Sequence, residues 1–209
     1  MVSKIQQTRR KSPVQARSVA TVQTIHEATI QVLISHGLPY LTTARVAERA
    51  GVSVGSIYQY YPNKQALLMA VLTLHLENIV HAMETVCDEL RGKSLDAMGM
   101  AITSAYVAVK MQRPEVSRAL YALPSDEVTN AIVARATERG QLAICNLLQS
   151  CADARFNEPR LVASVFTGAL VGPVQMMLTG AILMEHLDEF TEHLLHLSIG
   201  YLRQASVSK

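Results

Sequence analysis

The chain has 209 residues, 49% hydrophobic and 17% charged, which excludes a disordered chain and leaves apolar mass for one or two folded domains. Its net charge of +2 hides an asymmetry: up to residue 64, Lys4, Arg9, Arg10, Lys11, Arg17, Arg45, Arg49 and Lys64 face only Glu27 and Glu48, and an acidic remainder follows. A basic head suits a polyanion whose counterions are released on binding, although a solvated basic tail has the same count.

Residues 1–16 read as a flexible basic arm, without the apolar stretch of a secretory signal. Beyond it, apolar residues recur at helical spacing and no alternating strand pattern stands out, so the expected fold is all-α with about nine helices. The first helix covers 17–36, with Val22, Ile25, Thr29, Val32 and Leu33 on one face and Gly37 just past its end. Short helices at 43–50 and 54–60 flank Gly51-Val52-Ser53. A long helix starts near Asn63, keeps Leu72, Leu76, Ile79, Val80, Met83, Val86 and Leu90 inward, and ends at Arg91-Gly92-Lys93. Ser94 caps the next, which stops before Pro114 because the residue preceding proline is pushed out of the helical region. A short helix fits 115–123. Pro124-Ser125-Asp126-Glu127 opens another, to about 152, with two carboxylates at its positive end. Asn157-Glu158-Pro159 starts an apolar helix to about 184, and Leu187, Phe190, Leu194, Leu197, Ser198 and Tyr201 line the last.

Residues 41–64 read Leu-Thr-Thr-Ala-Arg-Val-Ala-Glu-Arg-Ala-Gly-Val-Ser-Val-Gly-Ser-Ile-Tyr-Gln-Tyr-Tyr-Pro-Asn-Lys, two short helices around a glycine-bearing turn. Ala47 is small where the helices cross, Gly51 tolerates positive φ, and Val46, Val52 and Ile57 fill the wedge between them. Thr42 or Thr43 can cap the first helix and Ser53 the second, with their hydroxyls in reach of phosphates. Val54, Gly55, Ser56, Tyr58 and Gln59 crowd the start of the second helix, the end that a recognition helix inserts into the major groove. Gly55 permits close approach. Tyr58, Tyr60 and Lys64 can contact phosphates, and Gln59 or Ser56 can reach base edges. Arg45 and Arg49 read as solvated helix arginines.

This pattern, Thr-Thr-x-x-Val-Ala-x-x-Ala-Gly-Val-Ser-x-Gly-Ser-Ile-Tyr-x-Tyr-Tyr-x-x-Lys, resembles the DNA-binding signature of the TetR family of bacterial regulators, over roughly 18–75. The resemblance implies a three-helix DNA-binding head (17–64), a helical ligand-binding and dimerisation body (65–209), and a palindromic double-stranded DNA operator. By position, Thr43, Val54, Gly55, Ser56, Tyr58, Tyr60 and Lys64 match the family's usual DNA-contacting places. Tyr61 departs from the family's usual phenylalanine, and its ring is expected to pack inward.

Two patterns point elsewhere. Gly51-Val52-Ser53-Val54-Gly55 satisfies the nucleophile-elbow pattern G-x-S-x-G, but an elbow needs a strand before the serine, and a helix is expected there, so no enzyme is read. Residues 161–184 are uncharged and long enough to span a bilayer, which makes a single-pass membrane protein the alternative. Polar and small residues dilute that stretch, and the family's penultimate helix occupies the same place in the dimer interface. Gly168 and Gly172 would let two copies approach, with Leu187, Phe190, Leu194, Leu197 and Tyr201 completing a four-helix seam.

Three cysteines (Cys87, Cys145 and Cys151) without a CxxC pair suggest neither disulfides nor zinc and fit a reducing cytoplasm. His193 and His196 share a helix face but find no further ligand, so neither a metal nor another cofactor is expected. Met98, Met100, Met111, Met176 and Met177, with Tyr106, Tyr121 and Phe166, suit either ordinary core filling or a ligand cavity. Met100, Tyr106, Met111, Tyr121, Phe166 and Met176 form the candidate ligand set. The expected whole is a homodimeric repressor whose heads release DNA when a small apolar or amphipathic effector makes the 63–90 helix swing. A ligand-independent or activating member of the family is the variant reading.

Overall fold

The structure, a computed structural model, describes residues 13–208, with side-chain surroundings defined for 17–207. Residues 1–12 of the expected arm lie outside the described residues. The described residues form nine α-helices: α1 (Pro13–His36), α2 (Thr43–Ala50), α3 (Val54–Tyr58), α4 (Lys64–Glu89), α5 (Leu95–Met111), α6 (Pro114–Tyr121), α7 (Glu127–Gln149), α8 (Pro159–Leu178) and α9 (Leu187–Ala205). They fall into two compact units, with the division between Val71 and Leu72 inside α4.

In the first unit α1 buries Ile25, Ala28, Val32 and Leu33. Thr29 on the same face is fully buried, and its hydroxyl donates to the Ile25 carbonyl at 2.7 Å, so its burial leaves that hydroxyl matched. Val46 and Ala47 of α2, Ile57 of α3 and Leu67 and Leu68 at the start of α4 complete this core. Tyr61 is half-buried, as its ring position requires. Its hydroxyl lies 2.6 Å from His26 Nε2, which gives the tyrosine's oxygen a partner that a phenylalanine would not need.

The second unit packs α4 beyond Leu72 with α5 to α9 around Met98, Ile102, Phe166, Leu170 and Met177. Ser94 caps α5 by accepting from the Ala97 N–H, and Asp126 caps α7 by accepting from the Thr129 N–H. Helix α5 ends before Pro114, which takes the first position of α6; there its missing N–H has no helical partner to lose. Helix α9 lies close along α5. A Cβ at Gly99 would stand 3.3 Å from both Ile199 and Leu202, and the Arg203 guanidinium forks onto Asp96 at that contact. The α7–α8 loop is stitched to the α4–α5 loop: Ala152 N–H donates to the Lys93 carbonyl at 3.0 Å, and the Asp153 carboxylate accepts from Leu95 N–H at 2.8 Å.

Three expectations change. The apolar helix ends at Leu178, not 184, because Gly180 (φ 89°) closes it: Ala181 N–H donates to the Met176 carbonyl at 2.8 Å and Gly180 N–H to Met177 at 3.1 Å. This paired closure needs a left-handed residue, which glycine supplies. The uncharged stretch 161–184 is therefore a helix, a turn and a short 3-10 segment at Met184–His186. By length and composition α4 and α8 remain long and apolar enough to cross a membrane, with 44% and 39% of the most apolar window of each buried inside the protein. Secondly, a two-residue antiparallel ladder exists where no strand was expected, β1 (Ala154–Arg155) with β2 (Val207–Ser208). Two residues are too few to show alternation, and this pairing is made by chain closure alone. Thirdly, α1 begins at Pro13 rather than 17, while α3 stops at Tyr58 and α7 at Gln149.

Candidate nucleic-acid interface and effector cavity

The turn between α2 and α3 is built from caps at both ends. Thr42 is the N-cap of α2, its side chain accepting from Arg45 N–H at 3.2 Å. Gly51 ends α2 in the left-handed conformation (φ 67°, ψ 31°), with Gly51 N–H donating to the Glu48 carbonyl and Val52 N–H to Ala47. Ser53 then caps α3 by accepting from Ser56 N–H at 3.1 Å, and its Oγ lies 2.8 Å from that of Ser56. The Ser53 hydroxyl thus sits in a helix-turn-helix cap, not on the strand-to-helix turn of a nucleophile elbow.

With Ile57 fully buried, the rest of α3 is turned outward. Val54, Tyr58 and Tyr60 are exposed apolar or aromatic residues, 51% for Tyr58, and Thr42, Ser53, Gly55, Gln59 and Lys64 are exposed as well. Thr43 and Ser56 are half-buried. Thr43 Oγ1 and the Tyr58 hydroxyl lie 3.4 Å apart, tying the start of α2 to the end of α3. Tyr60 accepts from the Ser18 hydroxyl of α1 at 3.3 Å. The structure thus gathers the whole expected DNA-facing set on the first unit. It adds Tyr40, 60% exposed, beneath the Arg45 guanidinium, 5.5 Å from the ring centroid. Arg45 also donates to the Tyr40 carbonyl at 3.1 Å, and Arg49 to the Gln31 amide oxygen at 2.6 Å. Both arginines are anchored to the protein rather than simply solvated.

In the second unit, side chains of α4 to α8 enclose a cavity of about 150 Å³. Of the candidate ligand set it is lined by Tyr106 and Tyr121. Phe166 is fully buried in the core, Met111 is packed against that core, and Met100 and Met176 are about half exposed; none of the four lines the cavity. Burial raises both tyrosine hydroxyls above their ordinary pKa, Tyr106 the more strongly. His75, Lys110 and Ser117 also line it. His75 Nε2 lies 3.3 Å from Ser117 Oγ, and burial together with the positive charges of Lys110 and Arg113 pushes the imidazole down to about 4. Sequence periodicity did not single out these three, because a lysine or histidine in a helix reads as solvent-facing until the neighbouring helices are in place.

On α8, Leu161, Val165, Gly168, Gly172 and Met176 form one exposed stripe. On α9, Leu197 is exposed, Leu187 and Tyr201 are half-buried, and Phe190 and Leu194 are buried within the protein's own core. His193 and His196 are exposed.

Residues 25–71 match the profile of the bacterial regulatory proteins of the tetR family, and residues 94–202 match that of the tetracyclin repressor-like C-terminal domain. The chain belongs to the TetR family. Among TetR-family and other relatives, it is 30% identical over 134 residues to the nucleoid occlusion factor SlmA of Glaesserella parasuis, covering 61% of this chain and 64% of that protein. It is 38% identical over 58 residues to the uncharacterised HTH-type transcriptional regulator YvkB of Bacillus subtilis, covering 28% and 31%. The match thus spans from about a third to just under two thirds of these relatives' lengths. Solved structures agree in fold. A Haloarcula marismortui TetR transcription regulator superposes with a TM-score of 0.72 at 19% identity, covering 90% of this chain and all of that one. The Bacillus halodurans fatty acid degradation regulator FadR superposes at 0.65 and 17%, covering 90% and 97%.

Proposed function

We propose that this chain is a DNA-binding transcriptional regulator that acts as a homodimeric repressor in the cytoplasm and leaves its operator when a small molecule fills the α4–α8 cavity. The observation that carries the reading is the DNA-facing set: Thr43, Val54, Gly55, Ser56, Tyr58, Tyr60 and Lys64 stand together on the surface of a capped helix-turn-helix. Hydroxyls and Lys64 serve phosphates, while Gly55 lets the α3 backbone approach the base edges. Two such heads, from two copies, would occupy half-sites about 34–36 Å apart.

The α8 stripe of Leu161, Val165, Gly168, Gly172 and Met176 supports the dimer, because small residues let helices approach and the flanking apolar side chains are otherwise left in water. Leu197 extends it on α9. Phe190 and Leu194 hold α9 to its own protomer and are left out of the proposed seam. Helix α4 supplies the coupling: it opens in the first unit and lines the cavity with Leu72, His75 and Leu76 in the second. A ligand biases that helix only by its differential affinity for two arrangements.

Fluorescence anisotropy with DNA from upstream of the chain's own gene tests the reading. Binding stronger than to scrambled DNA, with one dimer per inverted repeat, is expected. Equal affinity for both DNAs would sink it, and DNA affinity unchanged by every ligand that binds the body would sink the coupling.

A further inference from the structure

The α4–α8 cavity has the wall of a hydrocarbon site and a cation inside it. Its open space of about 150 Å³ is near that of engineered apolar cavities that accept benzene. Leu72, Ile79, Met83, Ile144 and Leu170 make up much of the wall. Lys110 lines it too and is only 3% exposed. Among the described residues no carboxylate lines the cavity, and Lys110 has neither an ion pair nor a hydrogen-bond acceptor; its one close partner is the Tyr121 ring, 4.5 Å from Nζ to the centroid.

A buried ammonium ordinarily has an anion beside it, since the charge loses its hydration and a ring face returns only part of that loss. The other polar residues lining the cavity supply none: His75 from α4, Tyr106 on the same helix as Lys110, Ser117 and Tyr121 from α6, and Thr137 and Thr167 from α7 and α8 carry no negative charge, and the Arg113 charge that acts on His75 is positive. Burial brings the ammonium down to about 8, which still leaves it charged at neutral pH. The Tyr106 hydroxyl donates to that of Tyr121 in the same cavity wall, which leaves the Tyr121 proton to donate to an oxyanion.

We propose that the cavity takes a small amphiphilic monocarboxylate, its carboxylate on the Lys110 ammonium and its carbon body against the aliphatic side chains of α4 and α8. This rests on the reading of the cavity as the effector site and names the effector's class. A neutral apolar guest would leave Lys110 as unpaired as before, whereas a carboxylate would gain a charge-assisted hydrogen bond where water is largely excluded.

Isothermal titration of the full chain at pH 7 with octanoate and with 1-octanol tests this without any substitution. Octanoate is expected to bind about tenfold or more tighter than the alcohol of equal length, the range of one charge-assisted hydrogen bond. In Lys110→Met that preference should vanish while octanol binding persists. Equal or weaker binding of octanoate, no binding of it at millimolar concentration, or a preference that survives Lys110→Met would each overturn the proposal. Operator anisotropy separates the two readings. Lys110-dependent octanoate binding that leaves DNA affinity unchanged would defeat the effector reading and keep the ligand class. Release of DNA by octanol and not by octanoate would do the reverse.

Discussion

Lys64 and Tyr58 are the two residues at which the proposed DNA contacts can be tested one side chain at a time. Lys64 is exposed and has no fold to support at its ammonium, so Lys64→Ala should leave thermal stability unchanged. It should weaken binding to all sequences alike and flatten the salt dependence of log K by about one unit of slope. An unchanged slope in anisotropy titrations from low to moderate salt would remove Lys64 from the interface. Tyr58→Phe loses the hydroxyl that lies beside Thr43 and should weaken binding without altering that slope.

Lys110 and His75 each add a pH-dependent contribution to the stability of the second unit. For Lys110 the folded value near 8 lies below the ordinary 10.5, so between those values the unfolded chain binds more protons and stability rises with pH. The stability deficit is full below pH 8. Lys110→Met should therefore be more stable than the wild type at pH 7, with the difference shrinking from pH 8 to 9.5 in urea titrations. His75, held near 4 against 6.5, has the same sign in a lower window: stability falls as pH drops from 6.5 toward 4. His75→Gln should lessen that fall. If the acid limb of the urea midpoint is identical in the variant, His75 is not its source.

At the scale of the element, the turn between α2 and α3 tests backbone conformation cleanly. Nothing lies within 4 Å of a Cβ built at Gly51, so Gly51→Ala meets no steric neighbour and its penalty is that of the left-handed backbone, about 1–2 kcal/mol. Ser53→Ala should cost about 1 kcal/mol through the lost α3 cap. Urea midpoints of the two single variants check both, and the double variant, with neighbours sharing one turn, should depart from additivity. The end of α8 was equally local: Gly180 sat in plain view within an uncharged run. The hydrophobic count dominated there and extended the helix past its stop, although the glycine signal for a C-terminus was present in the sequence.

For the whole molecule, the dimer prediction rests on the outward stripe of α8. A Cβ at Gly172 has open space around it, so Gly172→Glu should leave the protomer's helicity and melting intact. It would put a carboxylate into the proposed seam, and sedimentation should then report monomers with DNA affinity lowered on full palindromes. A variant that remains dimeric would move the interface elsewhere.

The helix-turn-helix was legible residue by residue because its determinants are local: caps at Thr42 and Ser53, a left-handed Gly51, and wedge residues Val46, Ala47 and Ile57 all fall within one short stretch. Helix order and most helix starts followed from the same kind of code, in capping residues and prolines. Which face of α9 turns inward was not legible, since Phe190 and Leu197 are both apolar at helical spacing and only the packing against α5 and α8 separates the buried one from the exposed one. The cavity was less legible still. A lone lysine after an apolar run carries no mark of burial, and Lys110 becomes an unpaired interior charge only when α4, α6, α7 and α8 close around it. Local chemistry in the chain determined the helix-turn-helix, whereas long-range packing decided where the interior charge stands and therefore which ligand class is proposed for the body.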